Sequence, residues 1–218
     1  TAYHILVASS PELLEQGKGD IWDSGKIESD ASQWITYQGK TLKCNAPYYW
    51  KVKIDTNKGA TNWSVPAFWI TGLFNEADWQ GQWIGLDRAA PGDSETQWSR
   101  LAARYLRKEF AVKKGVKRAT VHIAGMGLYE LFINGQRIGN QVLAPAPTDY
   151  RKTILYNTYD VTSLLQTENA IGVTLGNGRF YTMRQNYKPY KIPTFGYPKL
   201  RLNLIVEYAD GSKETIAT

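Results

Sequence analysis

Short segments in which apolar and polar residues alternate, separated by turn residues, are the feature that most constrains this fold. The alternation runs through residues 50–54 in the first half of the chain and through residues 121–123, 129–133 and 200–206 in the second half. Because successive side chains of a strand point to opposite faces, this pattern predicts strands with one buried face and one face toward water. Asn-Gly at 134–135 and Asp-Gly at 210–211 suit tight hairpins, since both dipeptides tolerate positive φ angles. The sequence therefore predicts an all-β protein.

Helical signal is confined to two short segments. Residues 11–16 predict one or two helical turns, because Ser10 is a good N-cap and Pro11 suits the first helical position. Residues 160–165 predict another short turn, capped by Asp160. Many short strands with regular turn signals and little helix are typical of β-sandwiches and barrels.

Charge and aromatic residues are unevenly spread along the 218 residues. Residues 1–74 hold seven lysines and seven acidic residues, whereas residues 75–218 carry the whole net charge of +6. All eight tryptophans lie between Trp22 and Trp98, and ten of the fourteen tyrosines follow residue 100. Two segments of different composition predict two domains, residues 1–74 and residues 75–218.

Composition also excludes several classes of function. Cys44 is the only cysteine, which rules out a disulfide framework and a cysteine metal cluster, and two histidines rule out a histidine-rich metal site. No run approaches the roughly 18 apolar residues of a membrane helix. A moderate positive charge favours solubility but does not by itself indicate nucleic acid. Gly125-Met126-Gly127 lacks the third glycine and the helix of a dinucleotide-binding loop.

Ordered motifs carry a resemblance to a known family. Residues 48–54 and 68–72 resemble the last two strands of a fibronectin type III domain. Residues 124–135, 148–150 and 175–178 (AGMGLYELFING, TDY and LGNG) resemble, in order and separation, the N-terminal β-sandwich of bacterial α-L-rhamnosidases, glycoside hydrolase family 78. The resemblance implies two β-sandwich domains. The first is fibronectin type III-like and trimmed at its N-terminus, and the second is larger, jelly-roll-like and trimmed at its C-terminus.

The resemblance also implies a function for the parent protein. Enzymes of this family hydrolyse terminal α-L-rhamnose from glycans and glycosides with inversion, which needs one protonated carboxyl and one carboxylate. In the family both groups lie in a large helical barrel C-terminal to the domains seen here, and nothing in this chain has helical periodicity. We therefore expect an accessory region that packs on a catalytic domain and holds no catalytic residue of its own. The family further implies a periplasmic or secreted location.

In some relatives a sandwich domain of this type binds rhamnose with a calcium ion. By that resemblance, the expected sugar-binding residues lie after the LGNG motif and are Asn177, Arg179, Tyr181, Arg184, Asn186 and Tyr187. Oxygen ligands for calcium would come from Asn140, Asp149 and Asn186. No cofactor is required. Many relatives carry a tryptophan before the TDY turn and another after the glycines, where this chain has Pro147 and Arg179, so two stacking platforms are lost.

Other interpretations stay open at this point. The chain could be a carbohydrate-binding or structural module without an enzyme, and the loop after residue 177 could pack against a catalytic domain instead of binding sugar. A more remote alternative is single-stranded nucleic acid, because cationic and aromatic residues interleave between Arg179 and Phe195. We expect neither nucleic acid nor a membrane as a partner, because the net charge is modest and no nucleic-acid motif accompanies these residues.

Overall fold

The computed structural model describes residues 1–89, 91, 93, 100–181 and 194–218. The chain divides into two compact units, Thr1–Phe74 and Asn75–Thr218. Both are built from antiparallel strands, and the longest helix among the described residues has five residues. The prediction of an all-β protein is therefore confirmed.

The first unit contains one antiparallel sheet of six strands. The strands are β1 (Ala2–Ala8), β2 (Trp22–Asp23), β3 (Ile27–Glu28), β4 (Pro47–Thr56), β5 (Gly59–Ala60) and β6 (Ala67–Ile70). The two long strands, β1 and β4, pair at the centre. β2 and β3 both pair with the free side of β1, and β5 and β6 both pair with the free side of β4. The sheet is thus four strands wide, with two short strands sharing each edge.

A short helix packs on this sheet where the sequence predicts one. The helix α1 (Pro11–Glu15) begins after Ser10, whose hydroxyl accepts a hydrogen bond from the amide of Leu13 at 3.4 Å. The helix buries Leu14 completely against Leu6 and Ala8 of β1. The cap and the proline therefore form the expected helix start, and one apolar side chain fixes the helix on the sheet.

Lys51 of β4 is buried, against the expectation that the lysines of this strand face water. The register places Lys51 opposite Leu6, so its side chain lies on the face that α1 covers. Its ammonium group donates to the carbonyl of Leu14 at the end of α1 and lies 5.1 Å from the Trp63 ring centroid. A cation at a helix C-terminus and over an aromatic face is favourable, which explains how this sheet tolerates a buried lysine. Ile54, three positions on and on the other face, is 48% exposed.

The second unit is a two-layer sandwich. One sheet has four strands in the order β11 (Gln136–Ile138), β10 (Leu128–Ile133), β13 (Glu168–Gly176) and β8 (Arg104–Ala111). The other sheet has the order β12 (Tyr156–Asp160), β9 (Val116–Met126), β14 (Lys199–Tyr208) and β15 (Lys213–Ala217), with β7 (Ile84–Gly85) also on β14. All pairings are antiparallel.

The core of this sandwich lies between the two sheets and uses every second residue of their strands. The predicted alternation in residues 129–133, 121–123 and 200–206 is confirmed for the inward face, because every second residue of each segment is apolar and buried. Their side chains form one cluster with those of β13, and the fully buried members include Ile133, Val121 and Leu204. The hydrophobic contact between these two layers is what holds the second unit together.

Turns of the second unit use the residues that the sequence predicts. Asn134 and Gly135 have φ angles of 51° and 81° and form the two-residue turn between β10 and β11. Gly127 lies at φ 134°, where the chain leaves β9 in one sheet and enters β10 in the other. A Cβ atom on Gly127 would lie 2.4 Å from the carbonyl oxygen of Gly176, so this crossing requires glycine. The Asp210-Gly211 hairpin is longer, with four residues between β14 and β15.

The outer face of the five-stranded sheet is covered as well, which the alternation does not predict. Residues 76–82 cross this face and are fixed by two side chains of β14. The Asn203 carboxamide accepts from the amide of Gly81 at 2.8 Å and donates to the carbonyl of Asp78 at 3.0 Å. The Arg201 guanidinium donates to the Gly81 carbonyl at 2.7 Å and lies 5.1 Å from the Trp79 ring. Polar residues of β9 and β14 expected to face water, including His122 and Asn203, are therefore fully buried.

Candidate functional site

The loop after β13 is shaped by Asn177 and Gly178. Gly178 has a φ of 51° and lies directly on Leu128, so that a Cβ atom would approach the Leu128 side chain to 2.9 Å. The Asn177 carboxamide donates to the carbonyl of Leu101 at 2.9 Å, and the backbone carbonyl of Asn177 accepts from the amide of Tyr181 at 3.1 Å. Asn177, a predicted sugar-binding residue, therefore holds the loop in place and has one side-chain donor already occupied.

An aromatic cluster lies beneath this loop. Phe180 is buried, with its ring 5.2 Å from that of Tyr150 in an edge contact and 6.0 Å from that of Phe195 in a stacked contact. Tyr150 and Phe195 are 5.3 Å apart and close the triangle. The amide of Phe195 donates to the carbonyl of Phe180 at 2.9 Å. The TDY and LGNG motifs, distant in sequence, thus meet at one place, with Phe195 completing the cluster.

Arg179 lies at the edge of this cluster. Its guanidinium carbon is 6.0 Å from the centroid of the Phe195 ring, a cation–π arrangement. One terminal nitrogen of Arg179 is buried without a hydrogen-bond partner among the described residues. Burial raises the pKa of the neighbouring Tyr150 hydroxyl, against the opposing effect of the Arg179 charge, so this phenol stays neutral. The site therefore holds a buried donor whose hydrogen bond is not made within the described chain.

Tyr181 lies beside a second pair of rings. Its ring stacks on that of Tyr197, with centroids 5.8 Å apart and planes 25° from parallel. Both residues are half-buried, so part of this stacked pair remains accessible. Of the other predicted sugar-binding residues, Arg184, Asn186 and Tyr187 lie outside the described residues.

Two of the three proposed calcium ligands, Asn140 and Asp149, lie among the described residues. The Asp149 carboxylate is bound by Arg151, with Oδ1 to Nε at 3.0 Å, and hydrogen bonds from the Arg151 side chain and backbone lower the pKa of Asp149. Asn140 is exposed just after β11. No group of three or more His, Cys, Asp or Glu side chains among the described residues could hold a metal ion. Because Asn186 is not among them, the calcium prediction stays a prediction.

Sequence reasoning missed part of this site. It assigned Tyr150 to a turn, considered Phe195 only in the nucleic-acid alternative, and did not consider Tyr197. These residues join the loop through long-range packing, so their separation in sequence hides their proximity. The available signal is the run of aromatic residues around a glycine in residues 195–197, immediately before β14.

Two family descriptions match this chain. Residues 1–75 match the description "Rha78A-like, N-terminal immunoglobulin domain", and residues 114–218 match "Alpha-L-rhamnosidase N-terminal domain". The chain belongs with the N-terminal regions of α-L-rhamnosidases. The resemblance stated from the ordered motifs is thereby confirmed. For the first unit the matching description is an immunoglobulin domain, which shares the sandwich architecture of the expected fibronectin type III domain.

Individual α-L-rhamnosidases agree with this assignment. An α-L-rhamnosidase of Formosa agariphila is 38% identical to this chain over 233 residues, which are 98% of the chain and 24% of that enzyme. The solved α-L-rhamnosidase structure of Dictyoglomus thermophilum is 40% identical, with a TM-score of 0.83 over 100% of the chain and 24% of that protein. The Aspergillus terreus structure is 31% identical, with a TM-score of 0.81 over 99% and 24%.

The chain thus spans about a quarter of the length of these three α-L-rhamnosidases. These relatives are much larger proteins, and the matched part is N-terminal by its family description. Among the described residues, no helix is both long and apolar enough to cross a membrane.

Proposed function

We propose that this chain is the non-catalytic accessory region of an enzyme that hydrolyses terminal α-L-rhamnose from glycans or glycosides with inversion. The observation that carries the proposal is the match of residues 1–75 and 114–218 to N-terminal rhamnosidase domains. Its role in the parent is to pack on the catalytic domain as a scaffold. The family also supports a periplasmic or secreted location, which fractionation of cells producing the parent protein would test.

The state of the carboxyl groups supports a non-catalytic role. An inverting glycosidase needs one carboxyl whose pKa is raised, so that it is protonated when it meets the leaving group. Six described carboxyls have a pKa that clearly departs from its ordinary value, and in each of them the pKa is lowered; they are Glu12, Asp23, Asp55, Asp149, Glu207 and Asp210. Even for Glu207, where burial acts to raise the pKa, hydrogen bonds from Arg118 and Lys213 outweigh burial and lower it.

Hydrolysis by the purified chain tests the non-catalytic part of the proposal. We expect no release of the chromophore from an aryl α-L-rhamnoside above the rate in buffer, because the six described carboxyls with a shifted pKa all favour the ionised form. The Dictyoglomus thermophilum enzyme is the positive control. Activity that follows the pure chain through successive columns would contradict the proposal.

A chimera tests the accessory role directly. The matching N-terminal quarter of the Dictyoglomus thermophilum enzyme is replaced by this chain, and the same enzyme without that quarter is compared with it. We expect the chimera to be soluble and active on an aryl rhamnoside, and the shortened enzyme to aggregate or unfold at a lower temperature. A shortened enzyme as stable and as active as the chimera would refute a scaffolding role.

A second candidate function is rhamnose binding at the loop after β13. The observation that favours it is the buried, unpartnered nitrogen of Arg179 beside an aromatic cluster. A sugar hydroxyl could accept that hydrogen bond, while the Tyr181–Tyr197 pair offers a ring face to the apolar side of a pyranose. These rings could replace the stacking platforms lost with the two tryptophans.

The variant Arg179→Met separates sugar binding from packing, because methionine keeps an apolar stem against Phe195 and removes the donor. Titration of L-rhamnose by calorimetry should give binding for the wild-type chain and none for Arg179→Met. The control is Arg151→Met, which removes an exposed arginine from the neighbouring turn. Repetition with a chelator tests the calcium prediction. Equal affinity of both variants would contradict the site, and binding only to single-stranded DNA, falling steeply with salt, would favour the nucleic-acid alternative.

A further inference from the structure

Two aromatic residues on the outer face of the four-stranded sheet have no role in the core. Tyr105 of β8 is 82% exposed, and Phe132 of β10 is half-buried on the same face. The register places Tyr105 in one row with Thr174 and Glu130, and places Phe132 in the next row of this face with Gly172 and Arg107. The Cα atoms of Tyr105 and Phe132 are two inter-strand spacings apart across the sheet and two residues apart along it. This geometry corresponds to a distance of about 12 Å.

Charged pairs stand beside both rings. Arg107 pairs with Glu109 on β8 at 2.6 Å, and Arg137 of β11 pairs with Glu130 on β10 at 3.2 Å. The Arg137 guanidinium also donates to the carbonyls of residues 139 and 141, at 3.2 and 2.8 Å, so its orientation is fixed. The two ion pairs beside the rings therefore present donors and acceptors at set positions, and their two positive and two negative charges cancel; the exposed Glu168 near the start of β13 adds one further negative charge to this face.

Strand β13, which lies between β8 and β10, presents only small side chains on this part of the face. Its outward-facing residues here are Ala170, Gly172, Thr174 and Gly176, and each lies opposite a larger side chain of β8 or β10 or both. The larger side chains of β8 and β10 thus form two walls, and β13 forms the floor between them. The fold does not demand these glycines. A Cβ atom on Gly172 would lie 3.9 Å from Phe132, one on Gly176 would lie 3.7 Å from the Leu128 carbonyl, and neither residue has a positive φ. Since glycine weakens a strand, a bare floor that sterics do not require is typical of a place where a ligand approaches the backbone.

We propose that this groove along β13, walled by Tyr105, Arg107, Glu130 and Phe132, binds an extended, neutral oligosaccharide. Aromatic faces suit the C–H faces of sugar rings, and ion-paired arginines and carboxylates suit hydroxyl groups, which both donate and accept. Two rings about 12 Å apart fit sugars that are separated along a chain and not a single sugar. Balanced charge on the walls offers no attraction to a polyanion.

The groove runs toward the loop after β13, since Gly176 at the end of this strand directly precedes Asn177. The inference nevertheless goes beyond the proposed function and does not rest on it. It concerns a different face, and its residues are tested by different variants. Loss of rhamnose binding in Arg179→Met with intact groove binding, or the reverse, would separate the two proposals.

Affinity electrophoresis tests the groove with defined probes. The chain is run in native gels containing a neutral rhamnan, arabinoxylan or mixed-linkage β-glucan, with polygalacturonate as an acidic counter-probe. We expect retardation by at least one neutral polymer and none by polygalacturonate. Tyr105→Ala should weaken the interaction about tenfold, the loss of one aromatic contact. Trp34→Ala is the matched control, because Trp34 is 95% exposed and lies in the other unit.

Gly172→Thr tests the floor of the groove without threatening the fold. A β-branched residue suits a strand, so the melting temperature of the second unit should rise or stay unchanged. The threonine side chain would nevertheless fill the groove and abolish retardation. Retardation by no neutral polymer, retardation by polygalacturonate alone, or retardation that survives Tyr105→Ala and Gly172→Thr would each overturn the proposal. Dimerisation that Gly172→Thr abolishes would assign the face to a second copy of the chain and would also overturn it.

Discussion

The buried histidine of β9 predicts how the stability of the second unit depends on pH. His122 is fully buried beneath the segment at residues 76–82, with Nδ1 2.9 Å from the Thr158 hydroxyl and its ring 6.0 Å from that of Tyr156. Burial lowers the pKa of His122 to about 4, and the positive charge of Arg118 adds to the effect. In the unfolded chain the same imidazole has its ordinary pKa of about 6.5.

The sign and size of the effect follow from this difference. Between pH 6.5 and pH 4 the unfolded chain binds a proton at His122 that the folded chain does not, so the free energy of unfolding falls as the pH falls. The stabilisation is complete above pH 6.5, and its total loss below pH 4 amounts to about 3 kcal/mol. At pH 5 the loss is about 2 kcal/mol, equivalent to a shift of about 1 M in the urea midpoint. The carboxyl groups with lowered pKa act in the same direction, but mainly below pH 4.5.

Urea unfolding at pH 7.5, 6.0 and 5.0 checks this prediction, followed by the NMR methyl signals of the buried Val121 and Val206. His122→Gln should flatten the dependence between pH 7.5 and 5.0, whatever its effect on absolute stability. His4→Gln is the matched control, because the chain has two histidines and His4 lies in the first unit. An imidazole signal of His122 that titrates near pH 6.5 in the folded chain, or an equal slope in wild type and His122→Gln, would refute the argument.

Two further predictions concern the sandwich itself. Ile133→Asp should unfold the second unit, because an unpaired charge at a fully buried position costs several kcal/mol; a native-like melting curve by circular dichroism would contradict the core assignment. Gly127→Ala should destabilise the same unit by at least about 2 kcal/mol, since φ is 134° and the new Cβ atom would meet the Gly176 oxygen. Gly172→Ala is its control in urea unfolding and should be neutral or slightly stabilising.

Much of the second unit could be predicted from sequence because its signals are local. The period-two pattern of residues 129–133 identifies which side chains enter the core, and Asn134-Gly135 fixes the following hairpin. Ser10 and Pro11 likewise identify the start of α1. In each case the structure depends on the residue itself and on its neighbours within a few positions.

The errors have a common physical cause, which is a second layer that covers a face expected to meet water. The alternation correctly separates His122 and Asn203 from their apolar neighbours, yet it cannot say what lies over that face. The segment that covers them starts more than 120 residues before Asn203, and backbone groups of Asp78 and Gly81 fix it there. Position 81 must be glycine, since a Cβ atom would lie 2.4 Å from the Leu202 carbonyl oxygen, but nothing in the local sequence says what this glycine approaches. Lys51 follows the same logic, because its partner is a backbone carbonyl of α1.

The same reasoning explains why the hydrophobic periodicity of the sequence does not predict the groove along β13. The inward residues of this strand, Ile171, Val173 and Leu175, are buried in the core, and they determine its hydrophobic pattern. By sequence alone, the small residues at the outward positions are only weak strand formers. The register shows that they lie between Tyr105 on β8 and Phe132 on β10. A surface made by three strands carries information that no single strand contains. In a β-sandwich, then, the sequence of each strand specifies the core, whereas the register between strands specifies a binding face. Gly172→Thr is therefore the sharper test of function, and Ile133→Asp is the sharper test of the fold.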